Sequence, residues 1–214
     1  MRTLLDLVLP QVCGGCGVSG TGWCAGCAES LSGPPIRARP RTDPGVPCWA
    51  LGPYAGAGRR AVLAAKEHDR RDLAAPLGLA LARGLDGLRA RDRPLLLVPA
   101  PSRRAAARRR GGDPVRRAVR VAAGWLPDCR AVPMLTTRSD VRDSVGLGPR
   151  ARRHNLRGRI LPAGGSPPGP LCPPNAEVVL VDDVITTGAT AAESVRVLAQ
   201  AGVRVRAVMV TCVA

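Results

Sequence analysis

VVLVDDVITTGAT, residues 178–190, runs from four apolar residues into two adjacent aspartates and then a Thr/Gly-rich turn. A short apolar run of this kind reads as a buried strand, here residues 177–181. The following TAAESVRVLAQAG has helical composition, capping-box spacing between Thr190 and Glu193, and Gly202 as a stop. The order is strand, turn, helix. In an open parallel sheet, ligands bind outside the carboxyl ends of strands, and Asp182 and Asp183 stand at such an end. The turn leads into a helix N-terminus, where backbone N–H groups and the helix dipole favour a phosphate. Gly188 lets the backbone come close, and threonine hydroxyls donate to phosphate oxygens. Two neighbouring carboxylates suit sugar hydroxyls or a Mg2+ ion. A ligand with a phosphate at one end and a vicinal diol nearby fits both halves.

The rest of the chain places this unit in an α/β fold. PLLLVPAP predicts a buried strand at residues 95–98, WALGPY a short strand, AVPML another at residues 131–135, and VRVRAVMVTCV a final one. GRRAVLAAKEH and DLAAPLGLALARGLDGLRA predict helices, with Pro76 a potential break. DPVRRAVRVAAGWL predicts a helix capped by Asp113 with Pro114 at its first position. A short apolar helix is expected at residues 2–9, stopped by Pro10. Strands alternating with helices argue for a mostly parallel sheet covered on both faces. The domain reading is an N-terminal metal-binding segment at residues 1–33, a Pro/Arg-rich linker at 34–47 and the α/β domain at 48–214.

Cys13, Cys16, Cys24 and Cys27 form C-x2-C-x7-C-x2-C. Two such knuckles can set four thiolates tetrahedrally around Zn2+, and a metal would hold a segment too small to bury its own core. Redox chemistry is the other use of such pairs. Cys48, Cys129, Cys172 and Cys212 are scattered and read as ordinary thiols.

Formal net charge is +16, and Lys66 is the only lysine among 32 basic residues. That balance favours anionic partners, whether phosphorylated small molecules or nucleic acid. The lone lysine reads either as an exposed helix residue or as a point charge beside a phosphate. Arg103, Arg104, Arg108, Arg109 and Arg110 follow the strand at residues 95–98. They form either a solvated basic run or a set of forks for phosphate oxygens. His68 and His154 read as bystanders. No apolar run reaches the length of about 18 residues needed to span a bilayer, and no signal peptide is evident, so a cytoplasmic protein is expected.

Residues 178–190 closely resemble the phosphoribosyl-pyrophosphate (PRPP) motif of type I phosphoribosyltransferases. The chain as a whole resembles the ComF family of competence-associated, phosphoribosyltransferase-like proteins. The resemblance is carried by the cysteine cluster, by Tyr54, Gly56, Arg59 and Lys66, by VPAP with RRRGGD, by SVGLGPRARRHNL with Arg152 and Asn155, and by the PRPP motif. Gly112, Asp113 and Pro114 depart from the family's Phe-Asn-Gln, and Ser144 stands where Gln is expected. The resemblance implies a type I phosphoribosyltransferase-like sheet. Asp182 and Asp183 would be the catalytic pair on the ribose hydroxyls, and Thr186, Thr187, Gly188, Ala189 and Thr190 would hold the 5′-phosphate. Lys66, Arg103, Arg104, Arg110 and Arg152 would serve pyrophosphate and other anionic groups. It further implies Mg2+ with PRPP, structural Zn2+ on the four cysteines, and either phosphoribosyl transfer to a nitrogenous acceptor or a non-catalytic role beside a nucleic acid or protein partner in DNA uptake.

Overall fold

A computed structural model describes residues 11–102, 112–138, 158–164, 172–173 and 175–214. The helix expected at residues 2–9 lies outside them. Five strands run parallel: β2 (Cys48–Pro53), β3 (Leu95–Pro99), β4 (Cys129–Ala131), β7 (Glu177–Ile185) and β8 (Val205–Val213). A sixth, β1 (Ile36–Ala38), joins antiparallel to β2, giving the order β1-β2-β8-β7-β3-β4. Strand β1 lies inside residues 34–47, the stretch expected as a linker. Two further short strands, β5 (Leu135–Thr137) and β6 (Ile160–Pro162), form a separate antiparallel pair. The single strand expected at residues 131–135 is thus two. Pro133 lacks an N–H for a ladder, and Met134 turns back to donate to the Val132 carbonyl at 2.9 Å.

The central strands are apolar on both faces because both faces are covered. All five residues of β3 are buried, as are the first five of β7. Alternation sends Val179 and Val181 to one side, where they join Leu81 of α3 (Ala74–Asp86) and Val115 and Val119 of α4 (Pro114–Trp125). It sends Val178 and Leu180 to the other, with Ala191, Val197 and Leu198 of α5 (Ala189–Gln200). Burial of each large aliphatic side chain contributes about 1.5–3 kcal/mol. The remaining helices are α1 (Ala25–Glu29), within the cysteine segment, and α2 (Gly56–Glu67).

Local chemistry accounts for the helix ends. Asp113 caps α4, accepting from the Val115 and Arg116 N–H groups, and Pro114 occupies the first position. Pro76 falls in the first turn of α3, where its missing N–H has no helical partner to lose, so it causes no break. Among the described residues no helix is long and apolar enough to cross a membrane.

The strand order contains one reversal that matters for ligands. From β3 the chain passes through α4 to β4 on one side, whereas β7 pairs on the other side of β3 and leads into α5 on the opposite face. The two connections diverge at the carboxyl ends of β3 and β7, and a crevice is the geometric consequence.

Candidate functional site

The acidic pair lies at this crevice, but inside the strand rather than after it. β7 continues to Ile185 because β8 supplies a partner throughout: Asp182 sits opposite Val210, and Ile185 opposite Val213. The Asp183 N–H donates to Asp182 Oδ1 at 2.9 Å, and the Val184 N–H to Asp183 Oδ1 at 2.7 Å. Period-two alternation turns the two side chains to opposite faces of the sheet. Asp183 shares the face of α2, and Lys66 Nζ in the last turn of that helix meets Asp183 Oδ2 at 2.7 Å. The lone lysine is thus a half-buried helix residue paired with the second aspartate of the motif. Burial opposes its charge, but Asp183 outweighs burial and raises its pKa above the ordinary lysine value.

Asp182 behaves differently. Burial disfavours its charge first and the neighbouring Asp183 carboxylate second, so its pKa is pushed up to about 8 despite the Asp183 N–H bond and Lys66. A cation or a hydroxyl-bearing ligand over the pair would favour the ionised form.

The turn after β7 departs from the capping box expected at Thr190 and Glu193. Gly188 is the N-cap residue, in the left-handed region at φ 82°, and no side chain caps α5. Only glycine fits there: a Cβ would stand 2.4 Å from the Thr42 carbonyl oxygen and 2.6 Å from Pro40. Thr42 in turn donates its N–H to the Thr187 carbonyl at 2.8 Å, so residues 40–42 pack directly on the turn. Ala189 donates to Thr187 Oγ1 at 3.4 Å. Glu193 is buried and has other work. It receives the Gly158 N–H at 2.8 Å and pairs with Arg196 at 2.7 Å, joining the β6 end of the small sheet to α5.

Across the crevice, β3 ends in Pro99, Ala100, Pro101 and Ser102. The Ala100 N–H donates to the Val181 carbonyl at 2.8 Å, which holds this loop beside Asp182. Ser102 Oγ donates to Asp113 Oδ2 at 2.7 Å, tying the loop to the cap of α4. Arg103, Arg104, Arg108, Arg109, Arg110, Ser144, Arg152, His154 and Asn155 lie outside the described residues. Of the predicted site residues that are described, Lys66, Asp182, Asp183 and the turn 186–190 come together at one edge of the sheet. Thr42, Pro40 and Ser102 escaped the sequence reading. Their only signals were a Pro-rich stretch and a serine beside an arginine run.

The four clustered cysteines form a second site at the N-terminus. All four Sγ atoms lie within 4.8 Å of one another, with Cys13–Cys27 at 3.7 Å and Cys16–Cys24 at 3.6 Å. A tetrahedron with metal–sulfur bonds of about 2.3 Å has edges of about 3.8 Å, whereas a disulfide needs about 2.05 Å. The cluster is therefore one that can coordinate a metal ion. Burial raises the Cys13 thiol, but the backbone N–H groups of Cys16, Cys24 and Gly15 outweigh it and bring the pKa down to about 6. Cys27 is held above the ordinary thiol value, by burial first and by the other three sulfurs next. Gly15 makes the approach possible, since a Cβ there would meet Cys27 Sγ at 2.5 Å. The knuckle is docked on the α/β unit: Arg60 Nε of α2 donates to the Gly15 carbonyl, and Arg70 Nη2 to the Val12 carbonyl at 2.9 Å.

The state of Asp182 predicts a pH dependence. In the unfolded chain it ionises near its ordinary value of 3.8, whereas the folded protein keeps the proton up to about pH 8. Between these limits the folded state binds the extra proton, so this group's contribution to stability falls as pH rises from about 4 to about 8. Asp182→Asn stays neutral throughout. Urea denaturation should show its stability advantage over wild type growing from pH 4.5 to pH 8. A constant difference would place the Asp182 pKa near its ordinary value.

No family model matches the chain, and no curated protein matches it, so any functional reading rests on the residues themselves.

Proposed function

We propose that the carboxyl edge of β7 binds Mg2+–PRPP and that the protein is a type I phosphoribosyltransferase-like member of the ComF family. The observation that carries this reading is the conjunction of two carboxylates at the strand end with a glycine-cornered turn into an uncapped helix, set in a crevice between diverging βα connections. Asp182 and Asp183 would accept the ribose hydroxyls. The backbone N–H groups and hydroxyls of residues 186–190 would hold the 5′-phosphate. The Ala100–Ser102 loop would border the pyrophosphate, and Lys66 would hold Asp183 in place.

In the transfer, a nitrogen of the acceptor forms a bond to the anomeric carbon. The carbon–oxygen bond to pyrophosphate breaks with its electron pair leaving on pyrophosphate, and the nitrogen loses its proton to water. Mg2+ would neutralise charge on the departing group. The protein's own share is positioning and electrostatics rather than acid–base chemistry. One observation favours a second reading, binding without turnover. Asp113 stands in the segment that departs from the family, and its carboxylate is already engaged by Ser102 and by two helix N–H groups. On that reading the protein would be a PRPP-binding accessory of DNA uptake. Release of pyrophosphate from PRPP in the presence of nitrogenous acceptors separates the two, since only the transferase catalyses it.

Calorimetric titration tests the shared element. Charge-assisted hydrogen bonds contribute roughly 1.5–3 kcal/mol each, so Asp182→Asn with Asp183→Asn should weaken Mg2+–PRPP by about a hundredfold or more. Thr187→Val should weaken PRPP and ribose 5-phosphate equally. A double variant that binds like wild type, or a wild type that binds neither ligand, contradicts the reading.

For the cysteine cluster the proposed ion is Zn2+ in a structural role. Elemental analysis of protein purified without chelator should give one zinc per chain, lost on Cys13→Ser with Cys16→Ser. Substoichiometric metal that the substitutions leave unchanged would contradict it.

A further inference from the structure

A cavity of about 160 Å3 lies at the amino-terminal side of the sheet, away from the acidic pair. Its floor is the early part of three strands. Leu95 begins β3, Val179 is the third residue of β7, and Ala207 is the third of β8, opposite Val179 in the ladder. Its roof is the segment just past α3. That helix stops at Asp86, and the N–H groups of Leu88 and Arg89 both turn back to the Leu85 carbonyl, at 3.0 and 2.9 Å. The strands hold this turn down. Arg206 Nη1 donates to the Leu88 carbonyl at 2.8 Å, Arg206 Nε pairs with Glu177 at 2.9 Å, and the other Glu177 oxygen accepts the Ala90 N–H at 3.0 Å. Ala207 has the smallest side chain in the lining, and its methyl leaves the space between floor and roof.

The lining is apolar apart from two arginines, and they differ in how they are satisfied. Arg206 has the buried Glu177 carboxylate. Arg89 has a single carbonyl, that of Pro127, 2.6 Å from Nη1. Its Nε is buried and meets no acceptor, and no carboxylate pairs with it among the described residues. A buried donor without an acceptor is costly and rare, and a carboxylate is the strongest match to a guanidinium. Trp49 supplies an aromatic wall, with the Arg37 guanidinium 5.2 Å from its ring centroid. An apolar cavity of about 150 Å3 holds a benzene-sized molecule, so the volume sets the body of a ligand at one small ring. The single free donor sets the head at one carboxylate, since a phosphate would bring three acceptor oxygens to one N–H. Arg89 is itself half-buried, which leaves the head at the cavity's edge with the ring inside.

We infer that this cavity is a binding site for a small cyclic monocarboxylate, its ring against Trp49, Leu95 and Val179 and its carboxylate on Arg89. The inference does not rest on the phosphoribosyl reading. None of the lining residues belongs to the acidic pair, to the turn after β7 or to the loop after β3.

Benzoate is the probe, with benzamide as its uncharged match and acetate as the head group alone. Calorimetry on the full chain should give benzoate an affinity about tenfold or more above either. In 15N-labelled protein the indole N–H resonance of Trp49, assigned with Trp49→Phe, should move as benzoate is added, while that of the exposed Trp125 stays. Arg89→Met should bring benzoate to about the affinity of benzamide. Ala207→Leu should fill the cavity and weaken benzoate by about tenfold or more. Arg89 is not a core residue, so Arg89→Met carries the test even if Ala207→Leu does not fold. Benzoate that binds no more tightly than acetate or benzamide, a Trp49 resonance that does not move, or a carboxylate preference that survives Arg89→Met would overturn the inference.

Discussion

Burial of β7 on both faces is the constraint from which the site follows. A strand whose first five residues are all inaccessible must be covered by helices on either side. The helix after β3 therefore packs on one face and the helix after β7 on the other, and the connections part at the carboxyl edge. Polar groups tolerated at that edge are the ones reachable from the crevice. After the buried Glu177 at its start, Asp182 and Asp183 are the strand's departure from its apolar pattern, and the ladder to β8 pairs the backbone on both sides of them. Placing the carboxylates on a strand rather than a loop fixes their positions more tightly than the turn beyond them.

The same edge is tied to the distant N-terminus through α2. Arg60 near the middle of that helix donates to the Gly15 carbonyl of the cysteine knuckle, and Lys66 at its end pairs with Asp183. The knuckle has little core of its own, but it is not an independent appendage. Leu31 joins the cluster that includes Leu51 and Met209, and Leu73 approaches so near Gly14 that a Cβ there would lie 2.7 Å from it. Residues between the knuckle and β2 add an edge strand and then cover Gly188 with Pro40 and Thr42. Two segments far from β7 in sequence, residues 40–42 and the end of α2, thus converge on its carboxyl end.

What the sequence disclosed was whatever depends on neighbours along the chain. The buried character of β3 and β7, the Asp113–Pro114 start of α4, the helical run of α5 and the paired cysteine knuckles all follow from local pattern. What it hid depends on partners across space. β7 extends through Ile185 only because β8 reaches Val213. Thr190 and Glu193 have the spacing of a capping box, yet Gly188 adopts the cap position and Glu193 turns to Gly158 and Arg196. The proline content of residues 34–47 signalled a linker, although Ile36–Ala38 needs only three residues to pair with β2. No local signal joined Lys66 to Asp183.

If the β7 edge and its turn form a ribose-phosphate pocket, ribose 5-phosphate binds there. A crystal structure of the protein with ribose 5-phosphate tests it most directly. Phosphate oxygens should lie within hydrogen-bond distance of the backbone N–H groups of residues 187–190, and the ribose hydroxyls on Asp182 and Asp183. A ligand bound elsewhere, or a turn left unliganded at saturating ribose 5-phosphate, would contradict it.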